Sequence, residues 1–150
     1  SLESIARANQ IGFTVVVISN QSGLARGLFG IGQLNKIHAR MIHEVARFGG
    51  RIEAVFFCPH GPLEGCQCRK PRPGLLLELG RRLDMDLRTA TLIGDRETDM
   101  AAAKAVGANR ILVETGHGTG AAKLIERDSE VVVRRDLADA VAWLSSTGVS

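Results

Sequence analysis

The sequence predicts a three-layer α/β fold, with a parallel central sheet covered by helices on both faces. Short continuous runs rich in β-branched residues alternate with longer stretches of 3.6-residue apolar period. The short runs lack the apolar–polar alternation of a half-exposed strand, so each reads as a strand buried on both faces. Glycines stand where helix-like stretches stop, as at Gly49-Gly50 and Gly107.

A first helix is expected over Leu2–Gln10, an amphipathic stretch, followed by a strand at Phe13–Ser19. Ile31–Phe48 reads as a long helix and Ala54–Phe57 as the second strand. Pro73–Leu83 is a helix with proline in its first turn. Strand Thr91–Gly94, helix Thr98–Val106, strand Arg110–Glu114, helix Ala121–Glu126, strand Glu130–Val133 and helix Leu137–Leu144 complete the chain. Such alternation implies right-handed crossovers, and ligands then bind beyond the carboxyl ends of the strands.

With 150 residues, the chain suits one domain, and residues 1–150 are expected to form it. Hydrophobic residues make up 45% and charged residues 23%, ordinary for a globular protein. No apolar run reaches the roughly 18 residues of a membrane helix, and no signal-peptide core is present. A cytoplasmic protein without a membrane partner is expected. The net charge is +3 and aromatics are 4%, too few of either for base stacking, so nucleic acid is excluded as a partner. A mild basic excess suits a small anionic substrate.

Chemistry is sought after each strand. The first is followed by Ser19-Asn20-Gln21-Ser22-Gly23-Leu24-Ala25-Arg26-Gly27, a loop of hydroxyls, amides and one arginine able to hold a phosphate or to be an ordinary surface loop. The second is followed by Cys58, His60, Cys66 and Cys68, which include every cysteine of the chain. Three thiolates and one imidazole complete a tetrahedral zinc shell with no open position, so the zinc is expected to be structural. The odd cysteine count argues against a disulfide scaffold. Directly beyond lies the proline-stiffened basic turn Arg69-Lys70-Pro71-Arg72-Pro73, suited to a phosphoryl group or to plain solvation.

The third strand leads into Gly94-Asp95-Arg96-Glu97-Thr98-Asp99. Two carboxylates four apart at a strand-to-helix junction suit a magnesium ion or simple helix capping. Gly116-His117-Gly118-Thr119-Gly120-Ala121 superficially resembles a dinucleotide fingerprint, but it lies late in the chain and Arg134-Arg135 stands where an acidic residue belongs; a flexible loop is expected. Asp84-Met85-Asp86 follows a helix rather than a strand and reads as a surface turn.

This order of motifs resembles that of the haloacid-dehalogenase phosphatases, whose sheet is Rossmann-like. Within that superfamily the Ser19–Gly27 loop, the Cys58–Pro71 run and Gly94-Asp95-Arg96-Glu97-Thr98-Asp99-Met100 resemble the D-glycero-D-manno-heptose 1,7-bisphosphate phosphatases. Histidinol-phosphate phosphatases share a similar zinc loop, but Ser22 and the Leu24-Ala25-Arg26-Gly27 continuation favour the heptose enzymes. The resemblance implies hydrolysis of the 7-phosphate through an aspartyl-phosphate intermediate and a place in lipopolysaccharide heptose synthesis; a monomer is expected. It implies that Ser19 donates to the phosphoryl group, that Lys70 stabilises it, and that Asp95 binds Mg2+ with Asp99 in support. Asn20, Gln21, Ser22, Arg26, Arg69 and Arg96 would contact the rest of a small phosphorylated sugar. The departure is at the nucleophile: no strand of this sequence ends in the Asp-x-Asp of the family. The strand that carries it would lie between Phe13–Ser19 and Thr91–Gly94, so roughly 30 further residues are expected upstream. Without them, a zinc-stabilised module that binds sugar phosphate without turnover is the alternative.

Overall fold

The computed structural model describes residues 1–149, which form two compact units, one from Ser1 to Cys66 and one starting at Gln67. Both are built of parallel strands with helices on both sides.

In the first unit, α1 (Leu2–Gln10) precedes β1 (Val16–Asn20), then come the short α2 (Ser22–Ala25), the long α3 (Ile31–Arg47) and β2 (Ala54–Cys58). Strands β1 and β2 run parallel, with Val16 opposite Ala54 and Asn20 opposite Cys58. Helix α3 turns inward a stripe at Leu34, His38, Met41 and Val45, the i, i+4, i+7, i+11 spacing of one helical face. Gly49 ends it in the left-handed region (φ 79°). A Cβ at Gly50 would press on Val45 and on the backbone of Ala6, so this glycine lets the end of α3 lie against α1. Asn9 then ties the end of α1 to the strand entrances: its amide donates to the Phe13 carbonyl (3.1 Å) and accepts from Arg51 N (2.7 Å).

The second unit contains α4 (Gly74–Arg82), a 3-10 turn (Leu87–Thr89), β3 (Thr91–Gly94), α5 (Glu97–Ala105), β4 (Asn109–Val113), α6 (Gly118–Leu124), β5 (Val131–Arg134) and α7 (Leu137–Thr147). Its strands lie in the order β3-β4-β5, all parallel. The core gathers Met100, Ala102 and Ala103 of α5, Ile111 and Leu112 of β4, and Ala140, Val141 and Leu144 of α7. Asp86 accepts from Arg88 N and caps the 3-10 turn, so the Asp84–Asp86 stretch is the surface turn expected of it.

The elements match the sequence reading closely, and α1 and β3 do so to the residue. Burial differs. Only β4 is buried along most of its length; β1, β2 and β5 are largely half-buried, because each lies at the edge of its own sheet. Among the described residues, β1 bonds to β2 alone and β3 to β4 alone. Also among them, no helix is long and apolar enough to cross a membrane.

One charged residue is buried at the start of β4. The side chain of Arg110 is 4% exposed and is held by Asp128 (2.6 Å) and Glu130 (2.7 Å). Hydrogen bonds from Arg110 hold the Asp128 carboxyl below the usual carboxylate range. A depressed folded-state pKa contributes stability that is present above the unfolded value and lost as pH falls through the folded one. Asp128→Asn is therefore expected to lower the melting temperature at about pH 7 and to leave it nearly unchanged at about pH 2. An equal loss at both pH values would exclude this linkage.

Candidate active site

Because β1 and β2 are parallel and in register, their carboxyl ends open on the same side. Ser19 lies beside Phe57 and Asn20 beside Cys58, and Gln21 N donates to the Cys58 carbonyl (2.8 Å). The Gln21 side-chain amide donates to Ser19 Oγ (3.2 Å). A serine oxygen that already accepts a hydrogen bond keeps its own O–H as a donor, the polarity a phosphoryl oxygen requires. Ser22 opens α2, and Arg26 caps its far end, exposed to solvent.

The loop leaving β2 brings together Cys58, His60, Cys66 and Cys68, with their ligand atoms within 4.8 Å of one another. Cys58 Sγ lies 3.5 Å from both Cys66 Sγ and His60 Nδ1. Tetrahedral zinc, with bonds of about 2.3 Å to sulfur and 2.05 Å to nitrogen, places its ligands about 3.8 Å (S···S) and 3.5 Å (S···N) apart. The donor set and its spacing fit zinc. The tip of the loop buries little apolar surface: Leu63 is 99% exposed, and Gly65 takes a left-handed φ of 68°.

In the second unit, the basic turn closes through Arg72 N to Arg69 O (2.9 Å) and Gly74 N to Gln67 O (3.0 Å), with a cis Lys70–Pro71 peptide between. A Cβ at Gly74 would collide with the Gln67 carbonyl, so the turn can close only on glycine. Lys70 Nζ lies 2.5 Å from Asp99 Oδ1, and both side chains are nearly buried (12% and 6% exposed). The other Asp99 oxygen accepts Arg96 N (3.1 Å), half of a capping box at the start of α5. The reverse half is absent, since arginine has no side-chain acceptor.

The two carboxylates four apart thus have different tasks. Both Asp99 oxygens are occupied, one by a lysine and one by a backbone amide. Asp95 is half-buried and spends one oxygen, Oδ2, on His117 N (3.0 Å), while Oδ1 accepts from no described residue. A half-buried carboxylate with one tethered and one open oxygen fits a magnesium site completed by water and phosphate. This arrangement can hold a phosphoryl group beside a lysine and a cation, with the lysine oriented by a second aspartate.

The stretch after β4 corrects the sequence reading. The helix expected from Ala121 begins earlier, so Gly118, Thr119 and Gly120 are helical rather than part of a flexible loop, and His117 stands against Asp95 and Arg96. Its position after a strand was a signal for the site; resemblance to a nucleotide fingerprint obscured it.

The HAD-hydrolase-like family model matches residues 67–140. A D-glycero-β-D-manno-heptose-1,7-bisphosphate 7-phosphatase of Bordetella bronchiseptica is 49% identical over 118 residues, which is 79% of this chain and 66% of the relative. Those of Pseudomonas aeruginosa and Pseudomonas putida are 46% and 44% identical over 79% of this chain, covering 66% and 67% of their own length. The chain thus spans just under two thirds of the length of the Bordetella and P. aeruginosa relatives. The crystal structure of the D,D-heptose 1,7-bisphosphate phosphatase from B. bronchiseptica, complexed with magnesium and phosphate, superposes with a TM-score of 0.94 at 43% identity. That match covers 98% of this chain and 82% of the other. The D,D-heptose 1,7-bisphosphate phosphatase from Burkholderia thailandensis gives a TM-score of 0.78 at 34% identity, covering 97% of this chain and 83% of that one. With the Cys/His cluster, the paired aspartates and these relatives together, the chain belongs to the haloacid-dehalogenase-like hydrolases, in the family that includes the heptose-bisphosphate phosphatases.

Proposed function

We propose that this chain acts in a magnesium-dependent phosphatase that removes the 7-phosphate of D-glycero-D-manno-heptose 1,7-bisphosphate. The observation that carries the reading is the Lys70–Asp99 pair beside Asp95, whose Oδ1 is open. The names of the relatives and the magnesium and phosphate in the B. bronchiseptica structure support it.

In this reading, Ser19 donates its O–H to a phosphoryl oxygen, with Gln21 orienting it. Lys70 neutralises negative charge on the phosphoryl group as it transfers, and Asp99 holds the lysine in place. Asp95 is the magnesium ligand of this chain; a bound magnesium supplies charge neutralisation at the phosphoryl oxygens. Asn20, Ser22, Arg26, Arg69 and Arg96 address the remainder of the sugar phosphate. Cys58, His60, Cys66 and Cys68 hold a structural zinc. The phosphoryl group passes from the sugar oxygen to an aspartate carboxylate and then to water. No strand of the described residues ends in the Asp-x-Asp of the family, and the one Asp-x-Asp of the sequence, Asp84-Met85-Asp86, is the surface turn before β3. The protein works as a cytoplasmic monomer.

The absent nucleophile favours one second reading, a module that binds sugar phosphate without turnover. Phosphate release, measured with and without Mg2+ on heptose 1,7-bisphosphate and histidinol phosphate, separates the cases. The expected result is Mg2+-dependent release, with kcat/KM highest for the heptose. A preference for histidinol phosphate would move the substrate, and calorimetric binding without release would establish the module.

A further inference from the structure

We propose that His117 is a positioning residue, whose imidazole aims the Arg96 guanidinium at the second anionic group of a bisphosphorylated substrate. The proposal deepens the function proposed above and rests on it.

His117 Nε2 lies 2.6 Å from Arg96 Nη2. Arginine is always charged and can only donate, so the contact has one polarity: Arg96 donates, and His117 accepts through an unprotonated Nε2. The backbone beneath the imidazole is tied to the site. His117 N donates to Asp95 Oδ2 (3.0 Å), Gly116 takes a left-handed φ of 62°, and a Cβ on it would strike the Asp95 carboxylate. A Cβ on buried Gly118 would run into the Val113 carbonyl. The loop after β4 therefore approaches the end of β3 as closely as bare backbone permits, and His117 is the side chain delivered there.

Arg96 and His117 are both exposed, so their contact adds little to folding. What it does achieve is to restrict a long side chain that would otherwise sample many rotamers in solvent. One guanidinium nitrogen is engaged, and the rest of the fork remains able to meet a phosphate in bidentate fashion. Arg96 adjoins Asp95 in sequence, so the anion it meets belongs to the molecule whose phosphoryl group is at Asp95. A monophosphorylated sugar has no second phosphate for it, whereas a bisphosphate does.

The test compares KM and kcat of the full-length protein for heptose 1,7-bisphosphate and heptose 7-phosphate. His117→Ala is expected to raise KM for the bisphosphate about tenfold, the loss of one oriented charge-assisted contact, with kcat nearly unaltered. KM for the monophosphate should stay within about twofold, because it lacks the group that Arg96 would meet. His117→Gln, whose amide oxygen can accept from Arg96, should recover most of the loss. Adding His117→Ala to Arg96→Ala should cost nothing further, since the two act as one unit. The proposal is overturned if His117→Ala leaves the bisphosphate KM unchanged, raises both KM values equally, or adds fully to Arg96→Ala. If the parent protein released no phosphate from either sugar, the proposed function would fail and this assignment with it.

Discussion

Lys70→Ala is expected to lower kcat/KM for phosphate release by about 10²–10³, the usual loss when one preorganised charge is removed from a transition state. The lysine lies in a proline-flanked turn, 12% exposed, and its ammonium is 2.5 Å from a carboxylate that is 6% exposed. Two effects follow from the same substitution. The phosphoryl group loses a positive neighbour, and Asp99 keeps a buried charge with the Arg96 amide as its remaining donor among the described residues. Losing one partner of a buried pair costs on the order of 3 kcal/mol, so the melting temperature should fall as well. Lys70→Arg keeps the charge but cannot place a planar fork where a compact ammonium fits, and should recover stability better than activity. Asp99→Asn tests the other side, since its amide can still accept from Arg96 N but no longer fixes Lys70 by charge. It should reduce kcat less than Lys70→Ala does. Steady-state phosphate release and thermal denaturation on the same preparations read both effects. Retention of activity within about threefold by Lys70→Ala would remove Lys70 from the catalytic set.

Cys66→Ala should have the largest effect on the fold. The loop from Cys58 to Cys68 carries Pro59 before His60, Gly61 and Pro62 between His60 and Leu63, and Gly65 after it, and it exposes its one large apolar side chain, Leu63. Little hydrophobic burial is available to hold it, so a metal must supply that free energy. Structural zinc binds zinc-finger peptides with about 10–16 kcal/mol, far more than any contact within this loop. Removing one thiolate from four ligands is expected to abolish stoichiometric zinc, measured by inductively coupled plasma mass spectrometry, and to lower the melting temperature markedly. A strong chelator applied to the parent should produce the same change. Full zinc content and an unchanged melting temperature in Cys66→Ala would show that the cluster does not hold a structural metal.

Much of this was legible from residues near one another in the chain. Continuous Val and Ile runs marked the strands, and the 3.6-residue stripe of α3 marked its inner face. The four zinc-ligand candidates lie within eleven positions of one another, so their chemistry could be recognised without knowing the fold. Burial of the strands was read less well. A run of apolar residues records what a strand can bury, whereas its place at an edge or centre depends on its neighbours in the sheet. That is why β5, an apolar run like that of β4, leaves Val133 38% exposed.

The sequence by itself determined which chemical groups are present and on which side of the sheet they emerge, because both follow from residue type and from position after a strand. It could not divide the labour between Asp95 and Asp99, which spacing alone makes equivalent partners for a cation. The tertiary structure did so by bringing Lys70 against Asp99 and leaving Asp95 Oδ1 open. It also turned a glycine-rich stretch with a misleading motif into a neighbour of the site, setting His117 on Arg96 from 21 positions away. The physical reason is common to both. Parallel order places the ends of β3 and β4 side by side, and the glycines there let backbone come within hydrogen-bonding distance of a carboxylate, a condition that no local pattern encodes.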